Sequence, residues 1–403
     1  MKELFFVFII ILSFTGFSCA QQQKSLQQEE KSVAGTRGKS FINGADQFGE
    51  YLSLLTGQRV ALVVNHTSLV GKTHLTDTLL SLGTNIVKIF APEHGFRGMA
   101  EAGETVKNDT DVKTGLPIVS LYGKNKKPSP EQLQDVDILI FDIQDVGARF
   151  YTYISTMHYI MEAAAENRKT VIILDRPNPN GHYFDGPVLE IKNQSFVGMH
   201  PIPIVHGLTV GELAGMINGE KWLHNGKNCD LKVIKVKNYS HNDAFSVPVK
   251  PSPNMPNDLA IKLYPSLCLF EGTNISIARG TQFPFQAIGY PDPAFGKFTF
   301  TPVSIEGMAK NPPHENKLCY GIDFRAEKQI PQFTLKYLID YYRISKEKDK
   351  YFNSFFIKLS GTDALQKQIE SGMSEEEIRK TWKPQLDNYR QVRKKYLLYQ
   401  DFE

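Results

Sequence analysis

Glu93 and His94 stand where an apolar run of strand-forming residues, Ile86 to Ala91, is stopped by Pro92. A carboxylate and an imidazole leaving a buried parallel strand face the crevice in which open α/β sheets bind their ligands. Proton chemistry by Glu93 is the reading this position suggests. A second carboxylate, Glu271, ends another apolar run, Leu267-Cys268-Leu269-Phe270, which also reads as a strand. Two carboxyl groups in partly dry surroundings suit glycoside hydrolysis, in which one protonates the leaving oxygen and a second group serves the far side of the sugar ring. Asp142 and Asp145 compete for that second role. Either can instead cap the helix expected near Tyr151 or pair with Arg149.

The stretch Asp142-Ile143-Gln144-Asp145-Val146-Gly147-Ala148-Arg149-Phe150-Tyr151-Thr152-Tyr153 packs two acids, a base and two phenols into a dozen positions. Rings with hydrogen-bonding tips, Tyr151 and Tyr153, suit a pyranose, whose faces are apolar and whose edges carry hydroxyls. Arg149 can clamp a substrate carboxylate with two parallel bonds, or form a salt bridge with a neighbouring acid. Other expected strands end in similar groups: Asn65 and His66 after one, Asp175, Arg176 and Asn178 after another. Asn254 lies in a four-proline segment from Pro248 to Pro256, which reads as a rigid cleft wall, and Asn274 and Arg279 follow Glu271.

His66, His94, Asp142 and Asp175 could in principle gather round a metal, but no HxH, HExxH or HxxE pattern is present, so no metal is expected. Neither GxGxxG nor GxxxxGK[ST] occurs, so a nucleotide or other phosphate cofactor is not expected. No GxSxG elbow occurs for a serine hydrolase.

These residues have to be carried by an alternation of apolar strands and amphipathic helices. Strands are expected at Arg59 to Val64, Ile86 to Ala91, Leu116 to Leu121, Asp137 to Phe141 and Thr170 to Leu174. Helices are expected over Phe41 to Gly57, His74 to Leu82, Pro130 to Leu133 and Tyr151 to Asn167. That order is the signature of an α/β fold: a Rossmann-like, doubly wound, mostly parallel sheet. A change of character between Pro201 and Gly211 sets the expected boundary, giving a sheet domain over 41–205 and a smaller α+β domain over 206–403 that closes a cleft over the rim. The second half offers a capped helix from Thr209, a half-exposed strand at Leu231 to Val236, and helices at Gln332 to Tyr342 and Ala364 to Glu370. A last helix opens at Ser374 and runs to about Tyr399, with an interruption at Pro384.

With 46 basic and 43 acidic residues the net charge is only +3, which gives no electrostatic case for nucleic acid. The first nineteen residues read as a lipoprotein signal peptide: Lys2, the apolar run Leu4 to Leu12, then Gly16-Phe17-Ser18-Cys19, with Cys19 as the lipidated residue. A cleaved, soluble periplasmic protein is the alternative. Residues 20–40, rich in Gln, Ser, Lys and Glu, read as a disordered tether. Three further cysteines, Cys229, Cys268 and Cys319, have no CxxC spacing and read as buried thiols.

Four motifs in order, Ala91-Pro92-Glu93-His94-Gly95-Phe96-Arg97-Gly98, Phe141 to Tyr153, Leu174-Asp175-Arg176-Pro177-Asn178-Pro179, and Glu271-Gly272-Thr273-Asn274 with Arg279-Gly280-Thr281, resemble the bacterial exo-β-N-acetylmuramidases of the NamZ type. The resemblance runs from about residue 45 to the end. It implies release of terminal N-acetylmuramic acid from the non-reducing end of peptidoglycan fragments outside the cytoplasm. Together with the N-terminal segment, the expectation is a periplasmic or outer-membrane-anchored lipoprotein of a Gram-negative-type bacterium. Its catalytic glutamate falls on Glu93, with Glu271 and Asp142 as candidates for the second group. The sugar's lactyl carboxylate asks for an arginine, Arg149, Arg176 or Arg279, and its acetamido group for Asn65, Asn254 or Asn274. A carboxylate could alternatively orient the acetamide for substrate-assisted attack. Two other readings stay open: a sugar-binding lipoprotein without turnover, in which Glu93 only accepts hydrogen bonds, and a metal-dependent hydrolase.

Overall fold

The computed structural model describes residues 41–96, 109–327 and 329–403. The signal segment, the tether and Arg97 and Gly98 of the first motif lie outside them. Residues Ile42–Glu403 form one compact unit.

Seven strands build the main sheet: β1 Val60–Val64, β2 Ile86–Ala91, β3 Asp109–Thr110, β4 Pro117–Ser120, β5 Ile138–Asp142, β6 Thr170–Leu174 and β7 Asp230–Ile234. Their order is β3-β4-β2-β1-β5-β6-β7, and every pairing is parallel except that of the short edge strand β3. The chain winds outward from β1 to β4, then returns to β5 and winds the other way. The direction therefore reverses between β1 and β5, the position at which doubly wound sheets usually bind ligands.

The central strands β1, β2, β5 and β6 are mostly apolar because both faces are covered. Val60, Leu62 and Val64 pack with helices α1 Phe48–Leu55 and α2 Leu75–Ser81. Ala61 and Val63 point the other way, into a larger core with α3 Tyr153–Asn167 and α4 Val210–Gly219. Thr209 caps α4 in a reciprocal pair with Glu212, as its sequence spacing indicates.

The sheet extends past residue 205: β7, an edge strand of alternating burial, pairs in register with β6. The remaining chain adds α5 Asp258–Leu267, a three-stranded antiparallel sheet (β8 Ala287–Tyr290, β9 Phe298–Phe300, β10 Cys319–Asp323) and helices α6 Lys336–Ile344, α7 Phe355–Ser360, α8 Ala364–Glu370 and α9 Glu375–Lys394. Its apolar side chains, Phe270, Phe285, Tyr341, Phe356 and Trp382 among them, join the same core as α3 and α4.

Two details differ from the sequence reading. Leu267 to Phe270 is not a strand: α5 begins at the Asn257 cap and passes directly into a 3-10 turn, Cys268–Gly272, which carries Glu271. Ile261, Leu263, Tyr264 and Leu267 supply the helical spacing, and a short apolar run cannot by periodicity alone be told from a strand. The last helix runs unbroken through Pro384 and stops at Lys394, so Tyr399 belongs to a tail beyond it.

Candidate active site

β2 ends at Ala91, and the chain turns at once: Gly95 donates its N–H to the Pro92 carbonyl, with His94 and Gly95 both left-handed at φ 68° and 75°. A left-handed histidine costs of order 1 kcal/mol, a strain that is typically retained at functional sites. Glu93 and His94 thereby line a cavity of about 200 Å³, a volume on the scale of one sugar ring.

Helix α3 opens on the opposite side. Thr152 donates its hydroxyl to Glu93 Oε2 at 2.7 Å, fixing one carboxylate oxygen, and the Tyr153 hydroxyl lies 3.5 Å from the Glu93 carbonyl. Tyr151 and Tyr153 line the cavity edge to face, with ring centroids 4.9 Å apart. Burial raises both phenols above their ordinary range, and the Glu93 carboxylate adds to the effect, so both stay protonated and act as donors.

The proline segment forms a third wall, as its composition indicates. Tyr151 donates to the Pro251 carbonyl at 2.9 Å, and His66 Nε2 meets the Lys250 carbonyl at 2.8 Å. These two bonds hold Ser252, Asn254 and Met255 against the cavity. Asn254 is buried; its Nδ2 donates to the Met308 carbonyl at 2.6 Å, which assigns the amide orientation, and its Oδ1 has no partner among the described residues.

Glu271 and Arg279 complete the site. Arg279 Nε lies 2.7 Å and Nη2 2.5 Å from the same oxygen, Glu271 Oε1. The Cys268 thiol approaches Glu271 Oε2 at 3.6 Å, and the guanidinium sits 5.1 Å from the centre of the Phe285 ring. Ala278 and Gly280, both left-handed, bracket Arg279 and set its direction.

The other expected site residues lie elsewhere and do not line this cavity. Asp142, at the end of β5, is fully buried and forms a two-pronged pair with Arg176 at 2.5 and 2.9 Å. Ser68 donates to the Asp142 carbonyl and accepts from the Asn65 N–H, so the crevice at the sheet's reversal point is filled by the chain's own polar groups. Asn65 caps its own turn by accepting from the Thr67 N–H and hydroxyl. Asp145 accepts from the Gly147 N–H at 2.7 Å and lies 3.4 Å from His206; it does not cap α3.

Arg149 takes part in neither a substrate clamp nor a salt bridge. It is wholly buried and donates to four carbonyls, those of Pro187, Ile202, Leu359 and Ser360, tying the two halves of the chain together. Asn178 donates to the Leu208 carbonyl and accepts from the Asn180 N–H. Asn274 sits outside the cavity, its carbonyl bonded to His314. Asp175, one of the four residues weighed for a metal, instead accepts from Thr209 and Tyr399.

Several lining residues escape the sequence reading: Tyr122, Thr152, Phe196, Tyr264, Phe285 and Phe355. Thr152 lies inside the Asp142 to Tyr153 motif and was detectable there. Phe196 comes from irregular chain between Asp175 and α4, where neither periodicity nor spacing gives a signal.

Comparison with known proteins agrees along the whole chain. The family profile described as exo-beta-N-acetylmuramidase NamZ, N-terminal, matches residues 60–259, and the corresponding C-terminal profile matches 262–399. The peptidoglycan beta-N-acetylmuramidase NamZ of Bacillus subtilis (strain 168) is 37% identical over 423 residues, covering 99% of this chain and all of that protein. Two DUF1343 family proteins of Bacteroides fragilis NCTC 9343 with crystal structures share the fold. One has a TM-score of 0.83 and 49% identity over 90% of this chain and 99% of the other. The second has a TM-score of 0.76 and 30% identity over 89% and 99%.

Proposed function

The chain belongs to the exo-β-N-acetylmuramidase NamZ family of glycoside hydrolases, and we propose that it releases terminal N-acetylmuramic acid from the non-reducing end of peptidoglycan fragments with Glu93 as general acid. The observation that carries this reading is the Glu93 carboxyl in the cavity wall, one oxygen held by Thr152. A carboxyl so held can deliver its proton to the glycosidic oxygen as the bond to the anomeric carbon breaks. A cavity on the scale of one ring suits removal of a single terminal sugar. Asn254 Oδ1, unpartnered among the described residues and of assigned orientation, is the acceptor suited to the acetamido N–H.

Two candidates for the second catalytic group, Asp142 and Glu271, are both engaged by arginines. Asp142 lies outside the cavity, so the group serving the far side of the ring is Glu271 or the substrate's own acetamide, oriented by Asn254. The test is release of nitrophenol from a 4-nitrophenyl β-N-acetylmuramide. Glu93→Gln is expected to lower kcat at least about a thousandfold on a disaccharide whose leaving group is a sugar, and much less on the nitrophenyl muramide, whose leaving group needs little protonation. A binding protein without turnover would release nothing even as the wild type, while still retaining N-acetylmuramic acid.

We further propose that Cys19 carries a lipid and anchors the enzyme outside the cytoplasm, on the strength of the Leu4 to Leu12 run and the small residues before the cysteine. Metabolic labelling with a fatty-acid analogue is expected to mark the wild type and not Cys19→Ala; equal labelling would rule the anchor out.

A further inference from the structure

We propose that Arg279, aimed by Glu271, is the residue by which the cavity reads the acidic lactyl substituent of its sugar, a specificity role that rests on the muramidase reading. Among the described residues lining the cavity, Arg279 is the only lysine or arginine. Its guanidinium is a fork with two usable edges. The edge formed by Nε and Nη2 is engaged by Glu271 Oε1, and Nη1 makes no hydrogen bond within the described residues. The side chain keeps 20% of its surface exposed and lines the cavity, where a ligand can meet it.

On this inference Glu271 acts on the substrate through Arg279, which makes it a positioning residue and leaves the far side of the ring to the substrate's acetamide. With Oε1 held by the guanidinium and Oε2 facing the Cys268 thiol, it fixes the plane of the fork and keeps it charged. The left-handed residues on either side of Arg279 and the Phe285 ring beneath it restrict the guanidinium further. A fork fixed in this way matches a carboxylate held on the ring's O3. N-acetylglucosamine carries only a hydroxyl there and would leave the edge unpaired, the arrangement by which polar sites reject an analogue most strongly.

Calorimetric binding of N-acetylmuramic acid and of N-acetylglucosamine tests the inference, with turnover of the chromogenic muramide measured in parallel. The wild type is expected to prefer the acid by about thirtyfold or more. Arg279→Met should bring that ratio to within about threefold of one, and Arg279→Lys, which keeps the charge and loses the fork, should restore part of it. Glu271→Gln should change KM for the muramide more than kcat.

Equal binding of the two sugars by the wild type, or an unaltered ratio in a folded Arg279→Met, overturns the inference even if the muramide is hydrolysed. A thousandfold fall in kcat at constant KM for Glu271→Gln overturns the positioning role. A wild type that releases no nitrophenol but keeps an Arg279-dependent preference for the acid defeats the hydrolytic reading and leaves the recognition intact.

Discussion

Two arginine–carboxylate pairs, Asp142 with Arg176 and Glu271 with Arg279, look alike in sequence and do opposite things in the fold. The first is sealed: side-chain exposure is 0% for Asp142 and 6% for Arg176, and a further Arg176 N–H is taken by the Leu69 carbonyl. It fills the crevice at the reversal point of the sheet, where related architectures bind nucleotides. The second keeps 24% and 20% exposure and faces a cavity. The difference shows that a charged pair marks a site only where one edge of it is left without a partner. A sealed pair sets structure, and removing one member strands a buried charge.

The largest expected effect that could break this contrast is on stability. Asp142→Ala should cost about 3–5 kcal/mol by leaving Arg176 buried and unpaired, while Glu271→Gln should cost less than about 1 kcal/mol. Thermal unfolding of both variants checks it, and equal shifts would erase the distinction. Next is Thr152→Val, which removes the donor to Glu93 Oε2 and belongs to the open side. It should lower kcat by about tenfold, with stability changed by no more than about 0.5 kcal/mol; a loss of stability in step with activity would place Thr152 with the sealed residues.

The smallest effect is on pH. His200, fully buried against Trp222 and bonded to His158 Nδ1 at 3.1 Å, has its pKa pushed well below the ordinary value of 6.5 by burial. The unfolded chain binds that proton more readily, so the stability from a neutral His200 is complete above about pH 6.5 and declines as the pH falls toward the folded value. Unfolding measured between pH 7.5 and 5 should show this acid slope, and His200→Gln should flatten it. An unchanged slope would assign the acid loss to other groups.

Most of the main sheet was legible because its central strands are covered on both faces and therefore mostly apolar; β1, β2, β5 and β6 carry that mark. Glu93 was legible because Pro92 stops its strand at a rim. Burial and pairing were not legible, since both depend on contacts between distant segments. Arg149 reads as a clamp until Leu359 and Ser360, some two hundred residues away, bring their carbonyls to it. Asp142 reads as a catalytic acid until Arg176 folds back over it. Glu271 was placed on the wrong kind of element and still reached the cavity, because the end of a helix can aim a side chain as well as the end of a strand.

The tail beyond α9 reaches back to α4 and to the chain that follows β6 and β7. Tyr399 donates to Asp175 and accepts from the Val236 N–H, the Gln400 carbonyl accepts from the His241 N–H, and Leu398 donates to Glu212. A growing polypeptide cannot make these bonds until residues 398–400 have left the ribosome. The sheet's far edge therefore lacks these partners until that segment has been made. Removal of Tyr399 would leave Asp175 buried without its phenol, so loss of this tail should act like damage to the centre of the fold.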